Sequence, residues 1–307
     1  MIVHYGFEDW NLSGGSVASC GNYDGVHLGH QAILNEVAGR AKSLSVPSVA
    51  VTFDPIPKKI LYPENAPLLI QTLQQRLRKI EKLGIQHVVV ISFDLSFAAL
   101  KPEDFVLDFL VQKLQIKGFI VGENFSFGHQ KRGNIPLLRE IGGQHGFFVE
   151  AIPEVRIKGV RISSTLIRQM VREGKIEQAN ELLVDPFTLA GTVVEGEKLG
   201  GKLGIPTANL QVQNELIPGN GVYVGRTLIS TGAVPSVMNV GIRPTVGGRK
   251  LTVESHLLNF SGNLYGEQIE VQFLRRLRDE IRFSGIDELK NRIRMDIEQA
   301  LQYFSNS

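Results

Sequence analysis

The feature that most constrains this chain is a change of hydrophobic periodicity at Val184-Asp185-Pro186. Before that point, short apolar runs alternate with longer stretches of helical spacing, which is typical of a parallel sheet flanked by helices. After it, apolar and polar residues alternate with period two between turns that contain Gly, Pro and Asn. A chain of 307 residues is also longer than one compact core usually holds. We therefore predict two domains, residues 1–184 and residues 185–307.

The pattern before the change predicts five strands and five helices. The candidate strands are Val17–Cys20, Ser48–Phe53, His87–Ser92, Gly118–Val121 and Phe147–Ile152. The candidate helices span residues 31–44, 72–83, 102–114, 135–146 and about 164–183. After the change, the alternating segments predict a small closed or nearly closed antiparallel barrel. Residues 286–304 carry an apolar stripe and are expected to form a helix that packs on this barrel.

Composition and charge exclude several classes of protein. The chain has 33 basic and 31 acidic side chains, and residues 1–185 hold 20 and 19 of these. Because neither half has the field of a typical nucleic-acid binder, we expect no nucleic-acid partner. One cysteine suits a reducing compartment, and no apolar run approaches the ~18 residues of a spanning helix. We expect a cytoplasmic protein with no membrane partner, and the oligomeric state stays open.

A glycine-containing turn, GNYDGVHLGH (21–30), follows the first predicted strand. Small residues there let backbone amides approach phosphate oxygens, and the start of a helix favours anions. His27 and His30 are three residues apart, so both can face one phosphate and stabilise charge during attack on an α-phosphate. An isolated pair of this kind is more often structural, but open α/β sheets place ligands at this end of their strands. A metal centre is a poor alternative, because no cluster of ligands stands nearby.

A second candidate anion site is RISSTLIR (161–168), at the start of the last helix of the first domain. The hydroxyl residues can cap helix amides or hold phosphate oxygens, and the two arginines offer guanidinium groups. Taken alone, capping is the favoured interpretation. Taken with the histidine turn, the segment indicates a nucleotidyl transferase. The residues concerned are Arg161, Ser163, Ser164, Thr165 and Arg168.

The second domain contains GEKLGGKLGIPTAN (196–209), which imitates a P-loop. We reject that motif, because Leu203 stands where a hydroxyl would ligate magnesium and no helix follows. A glycine flap over a nucleotide and an ordinary hairpin loop both remain open. Thr207 and Asn209 share one face of an extended segment and can meet a hydrated Mg²⁺. Glu254 is a candidate base for an attacking alcohol, although the solvated outer face of a strand explains it equally well.

These motifs together resemble one family. GNYDGVHLGH, ISSTLIR, TFDP (52–55) and VGENFSFG (121–128) resemble the N-terminal module of the prokaryotic bifunctional riboflavin kinase/FMN adenylyltransferases, also called FAD synthetases. GTVVEG, LGIPTAN, GVYVG, NVGIRPTV, VESHLLNF and LYG resemble the C-terminal riboflavin kinase module. The resemblance implies an α/β nucleotidyltransferase domain with a Rossmann-like parallel sheet, followed by a small antiparallel β-barrel domain with a C-terminal helix. It also implies Mg²⁺, ATP as co-substrate, and riboflavin, FMN and FAD as substrates or products.

The resemblance assigns a role to each matching residue. His27 and His30 would stabilise the reacting phosphates, and Glu254 would be the base for the ribityl hydroxyl of riboflavin. Thr207 and Asn209 would hold magnesium and nucleotide phosphate, and Asn124 would lie at the FMN side. The remaining positions that it implies for nucleotide and flavin binding are Gly21, Asn22, Asp24, Arg161, Ser163, Ser164, Thr165, Arg168, Gly200, Lys202, Pro206 and Arg243.

Two positions depart from the family pattern. Ile56 replaces the histidine of TFDPHP, and Gly201 replaces an arginine whose phosphate contact is then lost or supplied by Lys198 or Lys202. The first departure supports an alternative, a riboflavin kinase with a weak or inactive adenylyltransferase half. A rival from another class is an RNA-binding protein, because similar sheets occur in tRNA-charging enzymes and small barrels often bind oligonucleotides. The near-neutral charge of each half argues against that rival.

Overall fold

The computed structural model describes residues 1–8, 10, 14–196, 200, 204–245 and 248–306, and only the backbone of 243–245 and 248–250. The chain forms two compact units. The first contains Met1–Leu68 and Leu73–Ser163, and the second contains Leu69–Thr72 and Ser164–Ser307. The domain boundary between residues 184 and 185 stays a prediction.

The first unit is built on a six-stranded sheet in the order β1-β4-β3-β2-β5-β6, with every neighbouring pair parallel. Its strands are β1 (Ile2–Tyr5), β2 (Ser16–Cys20), β3 (Ser48–Phe53), β4 (His87–Ile91), β5 (Ile116–Gly122) and β6 (Phe148–Ile152). The strand order reverses between β2 and β5, so their carboxyl ends form the switch point where such sheets bind ligands.

Helices and short turns connect these strands. They are α1 (Leu28–Leu44), α2 (Pro57–Leu61), α3 (Leu73–Lys82), α4 (Leu95–Ala98), α5 (Pro102–Asp104) and α6 (Ile135–His145), with 3₁₀ turns at Pro63–Asn65 and His129–Lys131. A hairpin of β7 (Arg156–Ile157) and β8 (Val160–Arg161) follows the sheet. Alternate residues of the central strands, such as Val17 and Ala18, enter separate apolar clusters, so both faces of the sheet are covered.

The structure corrects two expectations for this unit. Residues 2–5 form an edge strand that the apolar pattern did not predict, because it is short and leaves Ile2 and Tyr5 exposed. The predicted helix at 102–114 is α-helical only at its start. From Phe105 to Lys113 it is a π-helix, and the Leu114 amide donates to the Phe109 carbonyl five residues earlier.

The second unit is centred on a closed six-stranded antiparallel barrel in the order β10-β13-β12-β11-β14-β9. Its strands are β9 (Phe187–Val194), β10 (Ala208–Val212), β11 (Gly221–Ile229), β12 (Gly232–Thr245), β13 (Gly248–Leu257) and β14 (Gln268–Arg278). Inside the barrel, the Thr227 hydroxyl lies 2.8 Å from that of Ser236 and 2.7 Å from that of Ser255. Since Ser255 points inward, its neighbour Glu254 lies on the outer face.

The C-terminal helix α9 (Ile286–Ser305) packs on the outer face of the barrel, as expected. Ile297 and Ala300 of this helix pack in one apolar cluster with Val222 of β11. Ile286, the first residue of the helix, is exposed. A buried ion pair adds to this packing. Asp296, 1% exposed, accepts from the Arg278 guanidinium at 2.7 Å.

Residues 164–183 do not form the single predicted helix. Gly174 adopts φ = 71° and divides the segment into α7 (Ser164–Arg172) and α8 (Ile176–Leu183). A four-residue segment, Leu69–Thr72, also belongs to this unit, and we call it the strap. The Leu69 amide donates to Glu215 Oε2 at 2.9 Å, and the Leu216 amide donates to the Leu69 carbonyl at 3.2 Å.

Candidate functional site

The turn after β2 has an unusual backbone. Tyr23, Gly25 and Val26 all adopt positive φ values of 49°, 91° and 41°, which reverses the chain before α1 begins at Leu28. His27 is the N-cap residue, and the first turn of α1 contains no acidic residue. The amide end of this helix therefore keeps the positive potential that favours an anion.

The structure brings His27 and His30 together at the start of α1. Their rings stack with centroids 3.7 Å apart and planes 18° apart, and His27 is 6% exposed. Gly29 permits this arrangement, because a methyl group there would lie 3.2 Å from two atoms of the His27 ring. The Tyr23 ring meets His30 edge-on at 5.5 Å, and the Tyr23 hydroxyl donates to Ser19 Oγ. Burial raises the pKa of Tyr23, so this hydroxyl stays protonated.

Arg76 is a residue of this region that the motifs did not reveal. From α3 it donates to the Asn22 carbonyl at 2.7 Å and to the Phe53 carbonyl at 3.1 Å. It is 2% exposed, and burial lowers the pKa of its guanidinium while the carboxylates of Asp24 and Asp54 oppose that shift. One signal was available in the sequence, since Arg76 shares the buried stripe of α3 with Leu77 and Ile80.

The segment after β5 supplies a second cluster. Asn124 Nδ2 donates to Glu154 Oε1 at 2.8 Å, and Arg161 Nε lies 2.7 Å from the same oxygen. Arg156 contacts the other carboxylate oxygen at 3.1 Å. Asn124 and Arg161 therefore converge on Glu154, a residue that no motif indicated.

The other positions of ISSTLIR fall on both sides of the division between the units. Arg161 and Ser163 belong to the first unit, whereas Ser164, Thr165 and Arg168 lie in α7 of the second. Ile56, which replaces the family's histidine, is the N-cap residue of α2 and is 1% exposed. Its side chain is thus an apolar core group at the position where the family pattern has an imidazole.

In the barrel, candidate kinase residues lie side by side on three adjacent strands. Asn209 of β10 pairs with Glu254 of β13, and Glu254 pairs with Asn239 of β12. Directly opposed residues point to the same face of a sheet, so all three side chains lie on the outer face. Glu254 is 9% exposed, so it is not the solvated carboxylate of an ordinary outer surface. His256 Nδ1 donates to the Pro206 carbonyl at 2.7 Å and ties the segment before β10 to β13.

Two glycines after β9 lie against the PTAN residues. A methyl group at Gly196 would clash with the Asn209 side-chain amide, so glycine lets the backbone pass close to that polar group. A methyl group at Gly200 would clash with the Ile205 carbonyl and would lie 3.5 Å from Thr207 Oγ1, an ordinary contact distance. The part of the chain that the structure describes does not include four features singled out in the sequence, namely Lys198, Gly201, Lys202 and the side chain of Arg243.

Glu280 follows β14 and reaches the same face of the barrel. Its Oε1 would lie 2.3 Å from a methyl group placed on Gly241, and Asn239 Nδ2 would lie 3.4 Å from that point. Asn220 Nδ2 donates to Glu280 Oε2 at 3.4 Å. Asn239 begins the NVGIRPTV motif, but neither that motif nor any other indicated that it would approach Glu280, because the approach depends on strand register and on the course of the chain after β14.

Within the described part of the chain, we find no helix long and apolar enough to cross a membrane.

Comparisons with known proteins assign both halves. A family model described as FAD synthetase matches residues 11–166, and one described as riboflavin kinase matches residues 183–304. The chain is 39% identical over 298 residues to the bifunctional riboflavin kinase/FMN adenylyltransferase of Buchnera aphidicola subsp. Schizaphis graminum, covering 96% of each chain. It is 36% identical over 291 residues to the protein of the same name from Escherichia coli strain K12, covering 94% of this chain and 93% of that one.

A solved structure agrees in fold but carries a different name. A crystal structure named as a macrolide-efflux protein from Streptococcus pneumoniae matches with a TM-score of 0.87 and 29% identity, covering 97% of each chain. The two family models and the two curated relatives, which are 36% and 39% identical to the chain, agree on the same pair of activities. The chain belongs to the family of bifunctional riboflavin kinase/FMN adenylyltransferases.

Proposed function

We propose that this chain makes FAD from riboflavin in two consecutive ATP-dependent reactions. The observation that carries the proposal is that the two family models match different parts of the chain, and each part has its own cluster of polar residues. Riboflavin and ATP give FMN, ADP and a proton in the first reaction. FMN and a second ATP give FAD and pyrophosphate in the other.

We assign phosphorylation of riboflavin to the outer face of the barrel. Glu254 accepts the proton of the terminal ribityl hydroxyl as that oxygen attacks the γ-phosphate of ATP. Its burial and its place between Asn209 and Asn239 support this role, because a carboxylate fixed in register is already oriented toward its substrate. The glycines at 196 and 200 let backbone lie over the nucleotide phosphates.

Magnesium belongs to this half of the proposal. Thr207 and Asn209 offer a hydroxyl and an amide oxygen, which are hard donors of the kind that Mg²⁺ prefers, and both lie beside the glycine segment. A bound ion would neutralise charge on the transferring phosphoryl group.

We assign adenylyl transfer to the turn between β2 and α1. The FMN phosphate attacks the α-phosphate of ATP, and pyrophosphate leaves. His27 and His30 donate hydrogen bonds to the charge that develops, supported by the amide end of α1. Gly21, Asn22 and Asp24 form the turn that receives the phosphates, and Asn124 and Arg161 lie on the flavin and nucleotide side. Ser163, Ser164, Thr165 and Arg168 contribute further nucleotide contacts.

Product chromatography tests the proposal directly. Purified protein is incubated with riboflavin, ATP and Mg²⁺, and separately with FMN, ATP and Mg²⁺, and each mixture is repeated with EDTA. We expect FMN and FAD from the first mixture, FAD from the second, and neither product with EDTA. FMN without any FAD would instead establish the kinase alone.

From its composition we also propose that the protein is cytoplasmic and has no nucleic-acid partner. A salt titration of RNA binding would test the second of these proposals.

A further inference from the structure

Arg76 reaches from α3 to the carboxyl ends of two central strands. Its two terminal nitrogens donate to the Asn22 carbonyl, just beyond β2, and to the Phe53 carbonyl, the last residue of β3. The Asn22 carbonyl also accepts from Thr52 Oγ1 at 3.3 Å. One buried guanidinium thus fixes the backbone at the point where the sheet passes into the histidine turn.

The direction of this bond matters for the turn. The C=O and N–H groups of a trans peptide point in opposite directions, because the unit is planar. Holding the Asn22 carbonyl toward Arg76 therefore holds the N–H of Tyr23 away from it. The left-handed residues Tyr23, Gly25 and Val26 follow immediately, so the orientation of this peptide sets the course of the turn up to His27.

The surroundings of Arg76 favour a role within the protein over direct contact with a nucleotide. The side chain is 2% exposed, and both of its terminal nitrogens are used on backbone carbonyls. Within the described residues, its buried Nε has no hydrogen-bond partner. The carboxylates of Asp24 and Asp54 act electrostatically on the guanidinium, so its charge is balanced within the protein.

We propose that Arg76 is a positioning residue for adenylyl transfer, which holds the Asn22 carbonyl and through it the anion-binding turn without touching substrate. This inference rests on the proposed assignment of the turn at 21–30 to that reaction. A lysine cannot replace it fully, because one ammonium group on a single stem does not reproduce the planar fork that spans two carbonyls.

The test compares Arg76→Met and Arg76→Lys in the full chain. For Arg76→Met we expect kcat/KM for FAD formation from FMN and ATP to fall by about 100-fold, the loss that a misplacement of reacting groups by about 1 Å can cause. The kcat and KM for riboflavin phosphorylation should stay within about twofold of wild type, because that reaction is assigned to the second unit, and an unchanged far-ultraviolet circular dichroism spectrum shows that the first unit is still folded. The matched control is Arg139→Met, which removes an exposed arginine from α6 of the same unit and should change neither reaction.

Arg76→Lys provides a readout that a purely structural role would not change. Burial lowers the pKa of a lysine, so this variant should lose adenylyl transfer as the pH rises from about 7 to 10 and its ammonium group loses its proton. Wild type should show no such loss, because its guanidinium stays charged. Wild-type kinetics in Arg76→Met, or a wild-type pH profile in Arg76→Lys, would overturn the inference. His30→Ala, measured alongside, separates the two proposals: loss there with wild-type rates in Arg76→Met leaves the proposed function standing.

Discussion

His27 and His30 stand on a turn and the first residues of a helix, whereas Glu254 and Asn209 stand on adjacent strands of a closed barrel. The first arrangement depends on three left-handed residues and on the buried Arg76. The second depends on strand register, which pairs Asn209 with Glu254 and Glu254 with Asn239. The comparison teaches that one chain can orient the polar groups of a candidate site by backbone torsion in one place and by strand pairing in another.

The sharpest way to break this comparison is to disable one site at a time. Glu254→Gln should lower the rate of FMN formation by about 100- to 1000-fold and leave FAD formation from supplied FMN unchanged, because the base is lost only in the barrel. His30→Ala should do the reverse. Separate assays with riboflavin and with FMN measure both rates. Equal loss of both activities in either variant would contradict independent sites.

The ion pair between α9 and the barrel should dominate the stability of the second unit. Asp296→Asn should lower the free energy of unfolding by about 3 kcal/mol, because it leaves the Arg278 guanidinium without its buried counter-charge. The matched control in the first unit is Glu150→Gln, which removes a half-buried partner of the exposed Arg40 and should cost at most about 1 kcal/mol. Urea denaturation gives both values, and equal losses would show that burial does not distinguish the two pairs.

Gly29, beside the histidine turn, and Gly241, on the barrel, allow the two candidate sites to be compared by alanine substitution. Gly29→Ala should lower adenylyl transfer by about 3- to 10-fold, because the methyl group lies 3.2 Å from the His27 ring and displaces it. The melting temperature should not fall, since alanine favours a helix more than glycine does. Gly241→Ala should change phosphorylation less, because the nearest atom is the end of the exposed Glu280 side chain, which can move. A larger effect at Gly241 would reverse this ranking.

The smallest expected effect concerns the edge strand β1. His4 Nε2 lies 3.1 Å from His87 Nδ1, and burial, His4 and the N-terminal ammonium all lower the pKa of His87. The unfolded chain then binds a proton that the folded chain excludes. Stability from the neutral ring is therefore present above the unfolded pKa of about 6.5 and is lost as the pH falls below it.

Amide exchange measured across this pH range should show β1 opening earlier on acidification than β3. His87→Gln should weaken this pH dependence. An unchanged acid response in that variant would exclude the histidine pair as its origin.

The sequence predicted the elements whose signal is local. The period change at residue 184 and the runs at Ser48–Phe53 and 221–229 led to the two architectures, which the structure confirms. The four-residue β1 was missed because it is short and leaves Ile2 and Tyr5 exposed, and because its pairing with β4 joins residues 85 positions apart, such as Ile2 and His87. The break at Gly174 was missed because a single glycine is tolerated within many helices.

The candidate sites also divide into residues with a local sequence signal and residues whose contacts depend on the fold. His27 and His30 are three residues apart, so their spacing alone suggested that they meet. Arg76, Glu154, Asn239 and Glu280 reach their places only through packing and register. The spacing of α3 places Arg76 on its buried stripe, and NVGIRPTV contains Asn239, but neither pattern identifies the partner of either residue, so these contacts required the folded chain.

The strap Leu69–Thr72 limits how the two activities can be divided. It lies far from the barrel in sequence but is hydrogen-bonded within the second unit to residues 215 and 216. A gene fragment beginning at residue 164 or 185 would encode every barrel strand and still omit these four residues. A kinase fragment that begins at either residue would therefore lose the hydrogen bonds that join Leu69 to residues 215 and 216, and splitting the gene there would separate the strap from the unit it belongs to.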